Sequence, residues 1–217
     1  LFALLIIVSG ILLIASTNLV IVFLAVFVGS IGVNATETGP FASLEQAIIP
    51  QTTDDKNRTY AFSVYNLLGY VGASFGSLLG GLPAVFHDYF GFTPINGHRI
   101  LFASYAFTGL FLAIFYRSLS QKAELKVNKV KKRSLFGLTK SKRTVAKLSV
   151  LFSIDAFGGG FVIQSVLSLW FQTKYNTPLS AAGTILFIAQ LITAASFLIA
   201  GRLAKKIGLL NTMVFTH

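Results

Sequence analysis

The 217-residue sequence contains no cysteine and few charged residues, and both scarcities narrow what it can be. Without cysteine the chain has no disulfide framework, thiol nucleophile or thiolate metal site. Charged residues make up only 12% of the chain, against about 25% in a typical soluble domain. No zinc-binding motif, phosphate-binding glycine loop or credible catalytic triad is present. We therefore predict no metal site and no cofactor, and a membrane-embedded enzyme is disfavoured.

Long apolar runs are what the sequence does have. Hydrophobic residues make up 54% of the chain and the mean hydropathy is +0.73. Several runs are as long as the roughly 20 residues that a helix needs to cross a bilayer. We predict an all-α integral membrane protein with six transmembrane helices, at 1–16, 19–49, 60–86, 100–116, 148–171 and 179–200. Because the sequence starts and stops within apolar runs, we expect a fragment of a longer protein.

The basic residues predict the orientation of these spans. Sixteen of the 18 lysines and arginines lie in the segments 49–59, 117–147 and 201–208, which six spans place on one side. Only Arg99 and Lys174 lie on the other side. The positive-inside rule makes the basic side cytoplasmic, and we expect the plasma membrane. The linker 118–146 is expected to meet anionic lipid headgroups, whereas no nucleic-acid-binding module accompanies its charge.

The order of spans and several local motifs resemble the major facilitator superfamily of transporters. "VGSIGVNATETGPF" looks like the glycine-rich fourth helix of that family, and "LLGYVGASFGSLLGGLP" like its fifth. Ser77 stands where the antiporter version of the fifth-helix motif has proline, so the motif does not support proton antiport. "GRLAKKIG" is similar to the cytoplasmic loop signature after the eighth helix, with Lys205 in place of the common aspartate. The signature residues present here are Gly201, Arg202, Lys205, Lys206 and Gly208.

The resemblance implies a partial helical bundle covering helices three to eight of twelve. Residues 1–117 would be the last four helices of the first transmembrane bundle and 118–146 the cytoplasmic linker. Residues 147–217 would be the first two helices of the second bundle and the start of the next. The implied function is secondary active transport of a small-molecule substrate by alternating access, with ion or proton coupling left open. A channel or a non-transporting membrane scaffold is the alternative.

Asp155 and the glycine triplet that follows it are the leading functional candidates from the residues alone. A carboxylate in a span costs about 2.5–3.5 kcal/mol on insertion scales, so it usually faces a bundle interior or a watery cavity. Gly158, Gly159 and Gly160 weaken the helix and are predicted to form a hinge or to line a cavity. The alternative role of these glycines is close packing against a neighbouring helix. Gln164 lies nine residues after Asp155, half a turn away on a straight helix.

Polar residues on other spans complete the candidate pathway for substrate or coupling ion. These are Asn34 and Glu37 on the second span, Asn66 on the third and Gln190 on the sixth. Asn66 and Gln190 are first of all expected to hydrogen-bond between helices. Glu45 is expected to pair with a loop cation such as Arg58. Gly72, Gly76 and Gly80 recur every four residues and predict a stripe for close helix packing.

Overall fold

The computed structural model describes residues 2–29, 31, 36, 40–54, 57–118 and 142–216. Within these ranges the chain forms ten helices and no strand. The helices are α1 Phe2–Ala15, α2 Leu19–Val28, α3 Pro40–Thr52, α4 Arg58–Leu79, α5 Leu82–Phe90, α6 Pro94–Arg117, α7 Lys142–Gly159, α8 Gln164–Tyr175, α9 Leu179–Ile207 and α10 Leu209–Thr216. The prediction of an all-α membrane protein is confirmed.

Four helical stretches are long and apolar enough to cross a membrane, and two shorter apolar helices precede them. The long stretches are 58–90, 94–117, 142–175 and 179–207, and the short ones are α1 and α2. Every predicted span thus has an apolar helix in its place, although the boundaries differ. The predicted second span is not one continuous helix in the described residues, because α2 ends at Val28 and α3 begins at Pro40.

Local chemistry explains where the boundaries moved. α6 begins at Pro94, six residues before the predicted span, because the Thr93 side chain accepts a hydrogen bond from the Asn96 amide and caps the helix. α4 ends at Leu79 because Gly80 and Gly81 follow it, and α5 then continues to Phe90. Most of the segment 87–99, which joins the third and fourth predicted spans, is therefore helical, and Gly91 in the left-handed conformation (φ 66°) ends α5.

Helices α1, α2 and α6 pack together through small residues. A Cβ at Gly10 would lie 2.7 Å from the Ala106 Cβ, and one at Gly109 would lie 2.8 Å from Ile6. Ser9 donates a 2.7 Å hydrogen bond to the Ala25 carbonyl, which ties α1 to α2. Bulkier residues at the two glycines would push these helices apart, so the glycines set the helix spacing.

A second pairing joins α4 to α9, which come from opposite sides of the basic linker. The two helices run antiparallel, with ring contacts between Tyr70 and Phe197 (5.0 Å between centroids) and between Phe75 and Phe187 (5.6 Å). α5 packs on both α6 and α9 and so connects the two helix groups. We call the contact of α9 with α4 and with the following turn at Gly80 and Gly81 the α4–α9 seam.

Candidate functional site

A buried polar contact lies within the α4–α9 seam. The Gln190 side-chain amide on α9 donates a 2.6 Å hydrogen bond to the Ser77 hydroxyl on α4. Gln190 is 1% exposed, and its Oε1 has no hydrogen-bond partner among the described residues. A buried carbonyl oxygen without a donor costs about 1–3 kcal/mol. In the seam the Gln190 amide nitrogen is hydrogen-bonded and its Oε1 is not. An apolar side chain at this position would cost less free energy to bury.

Small residues bring the two backbones into contact beside this pair. A Cβ on Gly183 would lie 2.8 Å from the Ser77 carbonyl oxygen, and one on Gly81 would lie 2.9 Å from the Ser180 Cα. A Cβ on Gly201 would collide with the Ser63 hydroxyl. Real Cβ atoms do not approach so closely, so a larger residue at Gly81 or Gly183 requires a shift of the backbone, and one at Gly201 requires the Ser63 side chain to move.

The seam extends over the whole length of α4. At the end near Arg58, the Lys205 ammonium lies 5.3 Å from the centre of the Tyr60 ring, within cation–π range. At the far end Gly81 meets Ser180. Residues 60 to 81 span about 32 Å at 1.5 Å per residue, which matches the thickness of the hydrocarbon core.

The predicted glycine stripe does not form this seam. Gly72 and Gly76 are exposed, with open space where a Cβ would point. A Cβ on Gly80 would meet only backbone atoms of its own helix end. Among the described residues the close approach uses Gly81, Gly183 and Gly201 instead. Four-residue spacing identified small residues, but it could not tell which face of α4 meets a neighbour.

The span that carries Asp155 is interrupted after the glycine triplet begins. α7 ends at Gly159, Gly160 and Phe161 form a turn, and α8 starts at Gln164. A Cβ on Gly158 or Gly159 would meet nothing within 4 Å, so these two glycines make no close helix contact in the described structure. Asp155 is exposed and Gln164 is half-buried. The break lies between them, and their functional roles stay predictions.

The two remaining polar candidates that the structure describes, Asn66 and Gln190, make different contacts. The Asn66 side chain donates a 3.0 Å hydrogen bond to the Phe62 carbonyl of its own helix. Gln190 makes the interhelical bond expected of it. Asn34 and Glu37 lie outside the described residues.

The predicted cytoplasmic loop signature is mostly helical. α9 continues through the signature to Ile207, because alanine and lysine favour helix and a positive charge near the carboxyl end is favourable. Gly208 stops the helix with φ 89°. Of the signature residues, Gly201 packs in the seam and Lys205 lies over Tyr60, while Arg202 and Lys206 are exposed.

A carboxylate clamp was missed in the sequence. The Tyr65 hydroxyl on α4 donates a 2.7 Å hydrogen bond to one carboxylate oxygen of Glu45 on α3. The Tyr116 hydroxyl on α6 donates a 2.6 Å hydrogen bond to the other oxygen. The sequence predicted a loop cation such as Arg58 as the partner of Glu45, and the two phenols are partners that it did not predict. Tyr65 and Tyr116 are 51 positions apart, so no spacing rule could have linked them.

The model of the Major Facilitator Superfamily matches residues 1–217, the whole of this chain. The chain belongs to the major facilitator superfamily. This superfamily chain is also 24% identical over 230 aligned residues to an uncharacterised membrane protein of Saccharomyces cerevisiae, YJR124C. That alignment covers 92% of the chain and 51% of the yeast protein, so the chain spans about half the length of its relative. No solved structure matches it.

The family takes its name from the facilitated movement of solutes across membranes, and the activity of the whole protein is a matter for proposal. The family match and the apolar helices together place the protein in a lipid bilayer.

Proposed function

We propose that the protein is a secondary active transporter that moves a small solute by alternating access. The observation that carries the proposal is the α4–α9 seam, which joins helices from the two sides of the basic linker over the full depth of a membrane. In this proposal residues 1–117 belong to the first bundle, 118–146 to a cytoplasmic linker and 147–217 to the second bundle. The seam is then the surface on which the bundles rock.

The chemistry of the seam supports such a motion. In glycine and serine contacts such as Gly183 on Ser77, no large side chains interdigitate. The helices can therefore tilt with little repacking. The polar bond between Ser77 and Gln190 adds a directional contact that can be made in one arrangement and lost in another. In a passive scaffold the unsatisfied Gln190 Oε1 would only lower the stability of this surface.

The interrupted span offers the second support. Irregular backbone at membrane depth is tolerated only where it is buried in protein or lines a cavity, and transporters use such breaks at substrate sites. The break after Gly159 lies one helical turn beyond Asp155. We propose that Asp155 and the glycines 158–160 border the transport pathway, with Asp155 contacting the substrate or a coupling ion.

Reconstitution of the complete natural protein tests this function. In a solute screen with proteoliposomes, we expect gradient-driven uptake together with counterflow, which a channel does not show. Asp155→Asn should reduce gradient-driven uptake at least tenfold, whereas the exposed Asp88→Asn should leave it unchanged. Equal uptake by wild type and Asp155→Asn would remove Asp155 from the mechanism.

Residues 1–217 contain no cysteine, so cysteine pairs introduced here allow a direct test of alternating access once any cysteine elsewhere in the complete protein is replaced by serine. One double-cysteine variant replaces Ser77 and Gln190, and another replaces Tyr60 and Lys205 at the opposite end of the seam. A short thiol cross-linker at either end should stop transport, and added substrate should change the two cross-linking yields in opposite directions. Full transport after quantitative cross-linking at both ends would rule out rocking at this seam.

A further inference from the structure

The structure contains a groove of about 360 Å³ at the end of the bundle opposite Arg117. It lies between the turn that joins α1 to α2 and the first turns of α6. Leu13, Val22 and Phe102 supply hydrocarbon walls, and the exposed Ile95 in the first turn of α6 lies at the outer edge. Ser16, Thr17, His98 and Arg99 lie at its rim.

The rim supplies hydrogen-bond donors and contains no acidic residue. Arg99 forms no ion pair or side-chain hydrogen bond among the described residues, so its guanidinium is available. The Ser16 oxygen accepts a 3.1 Å hydrogen bond from the Asn18 amide, which leaves its hydroxyl proton free to donate outward. His98 uses its Nδ1 proton for the Pro94 carbonyl, so the donors that the rim offers outward are those of Arg99, Ser16 and Thr17.

Apolar walls below a donor-rich, cationic rim suit an amphiphile with an anionic head. From Arg99 to Phe102 the groove descends about 4.5 Å along α6 at 1.5 Å per residue, roughly the first few methylenes of an acyl chain. This end of the bundle is at the membrane surface, because α6 spans the bilayer from here to Arg117. Arginine is the residue that best matches a phosphate bidentately.

The geometry points to a phospholipid site: one acyl chain enters the groove beside Phe102, and its phosphodiester accepts hydrogen bonds from Arg99 and the Ser16 and Thr17 hydroxyls. The site lies in the leaflet opposite the basic linker and is separate from the α4–α9 seam. It depends on the membrane placement of α6 and not on the transport mechanism.

Tryptophan quenching by brominated lipids tests the site in the complete natural protein. The background is Trp170→Phe, with any tryptophan outside residues 1–217 also replaced by phenylalanine, and Phe102→Trp is the reporter. The protein is purified in a maltoside detergent, which carries no phosphate. Brominated phosphatidylglycerol should quench the introduced tryptophan at about tenfold lower concentration than brominated diacylglycerol, the low end of what one charge-assisted hydrogen bond supplies. Phosphatidylcholine should resemble phosphatidylglycerol, because both carry the phosphodiester.

Charge variants separate a local site from general attraction. Arg99→Gln should remove the preference for the phospholipid, and Lys174→Gln, the other basic residue on this side, should retain it. Equal quenching by both lipids, or the same loss in Lys174→Gln, would overturn the proposal. Absence of quenching would show that protein covers the groove and would overturn it too. If Phe102→Trp does not fold, Ile95→Trp at the exposed rim is the second reporter.

Discussion

The buried pair Ser77 and Gln190 gives the sharpest prediction about stability, because its two members should respond unequally to mutation. Ser77→Ala removes the acceptor of the 2.6 Å hydrogen bond and leaves the Gln190 amide fully unpaired in a site that is 1% exposed. Gln190→Met keeps the shape of the side chain and removes both the donor and the oxygen that already lacks a partner.

The magnitudes follow from what each variant leaves buried. After Ser77→Ala an additional polar group is unsatisfied, and this costs about 1–3 kcal/mol. After Gln190→Met the Ser77 hydroxyl can bond to a carbonyl one turn back on α4, as serine does in helices. Loss of the interhelical bond, about 0.6 kcal/mol on average and up to about 1.7 in membrane proteins, is then offset by removal of the orphan oxygen. We expect Gln190→Met to lie within about 0.5 kcal/mol of wild type.

The assay is reversible unfolding of the complete protein in mixed bicelles and detergent, with the double variant closing the thermodynamic cycle. The expected order of stability is wild type close to Gln190→Met and both above Ser77→Ala. If Gln190→Met were as destabilising as Ser77→Ala, the Oε1 atom would have a partner in the membrane and the reasoning would fail. A stable Gln190→Met variant that no longer transports would instead assign that oxygen to the transport cycle.

Two further predictions concern packing and the carboxylate clamp. Gly183→Ala should lower the unfolding free energy by about 1–3 kcal/mol, since the added Cβ would lie 2.8 Å from the Ser77 carbonyl oxygen. The matched control is Gly76→Ala, whose added Cβ would point into open space. It should be neutral or stabilising by up to about 1 kcal/mol. Equal losses in the two variants would contradict the assigned helix faces. Tyr116→Phe should destabilise by about 1.5–3 kcal/mol through the lost hydrogen bond to the Glu45 carboxylate. The loss should be smaller in a Glu45→Leu background, which offers the Tyr116 hydroxyl no acceptor, and an equal loss in both backgrounds would contradict the clamp.

Composition and run length were enough to predict the class of fold and the segments in which apolar helices lie. These properties are sums over many residues, and lipid imposes them on the whole helix. One or two residues decide where α4 ends, at Gly80 and Gly81, and where α6 begins, at Pro94. A rule based on span length averages over some twenty residues and does not detect them. Boundaries were accordingly the weaker part of the prediction.

The candidate site was harder to predict because it depends on pairs of distant residues. Gln190 was singled out as an interhelical hydrogen-bonder, but its partner Ser77 is 113 positions away and had been noted only for the proline it replaces. The Glu45 clamp joins three helices for the same reason. Glycine spacing suggested a packing stripe on α4 but did not define the face that packs, since that is decided by the position of α9.

The two-glycine turn between α4 and α5 has a mechanical consequence. α5 follows α4 through Gly80 and Gly81, and it packs closely on α6, since a Cβ added to Gly97 would lie 3.0 Å from Pro83. If α4 tilts, either the turn changes its conformation or α6 moves together with α5. The compliance of this turn would therefore determine how much of a movement of α4 is transmitted to the end of α6.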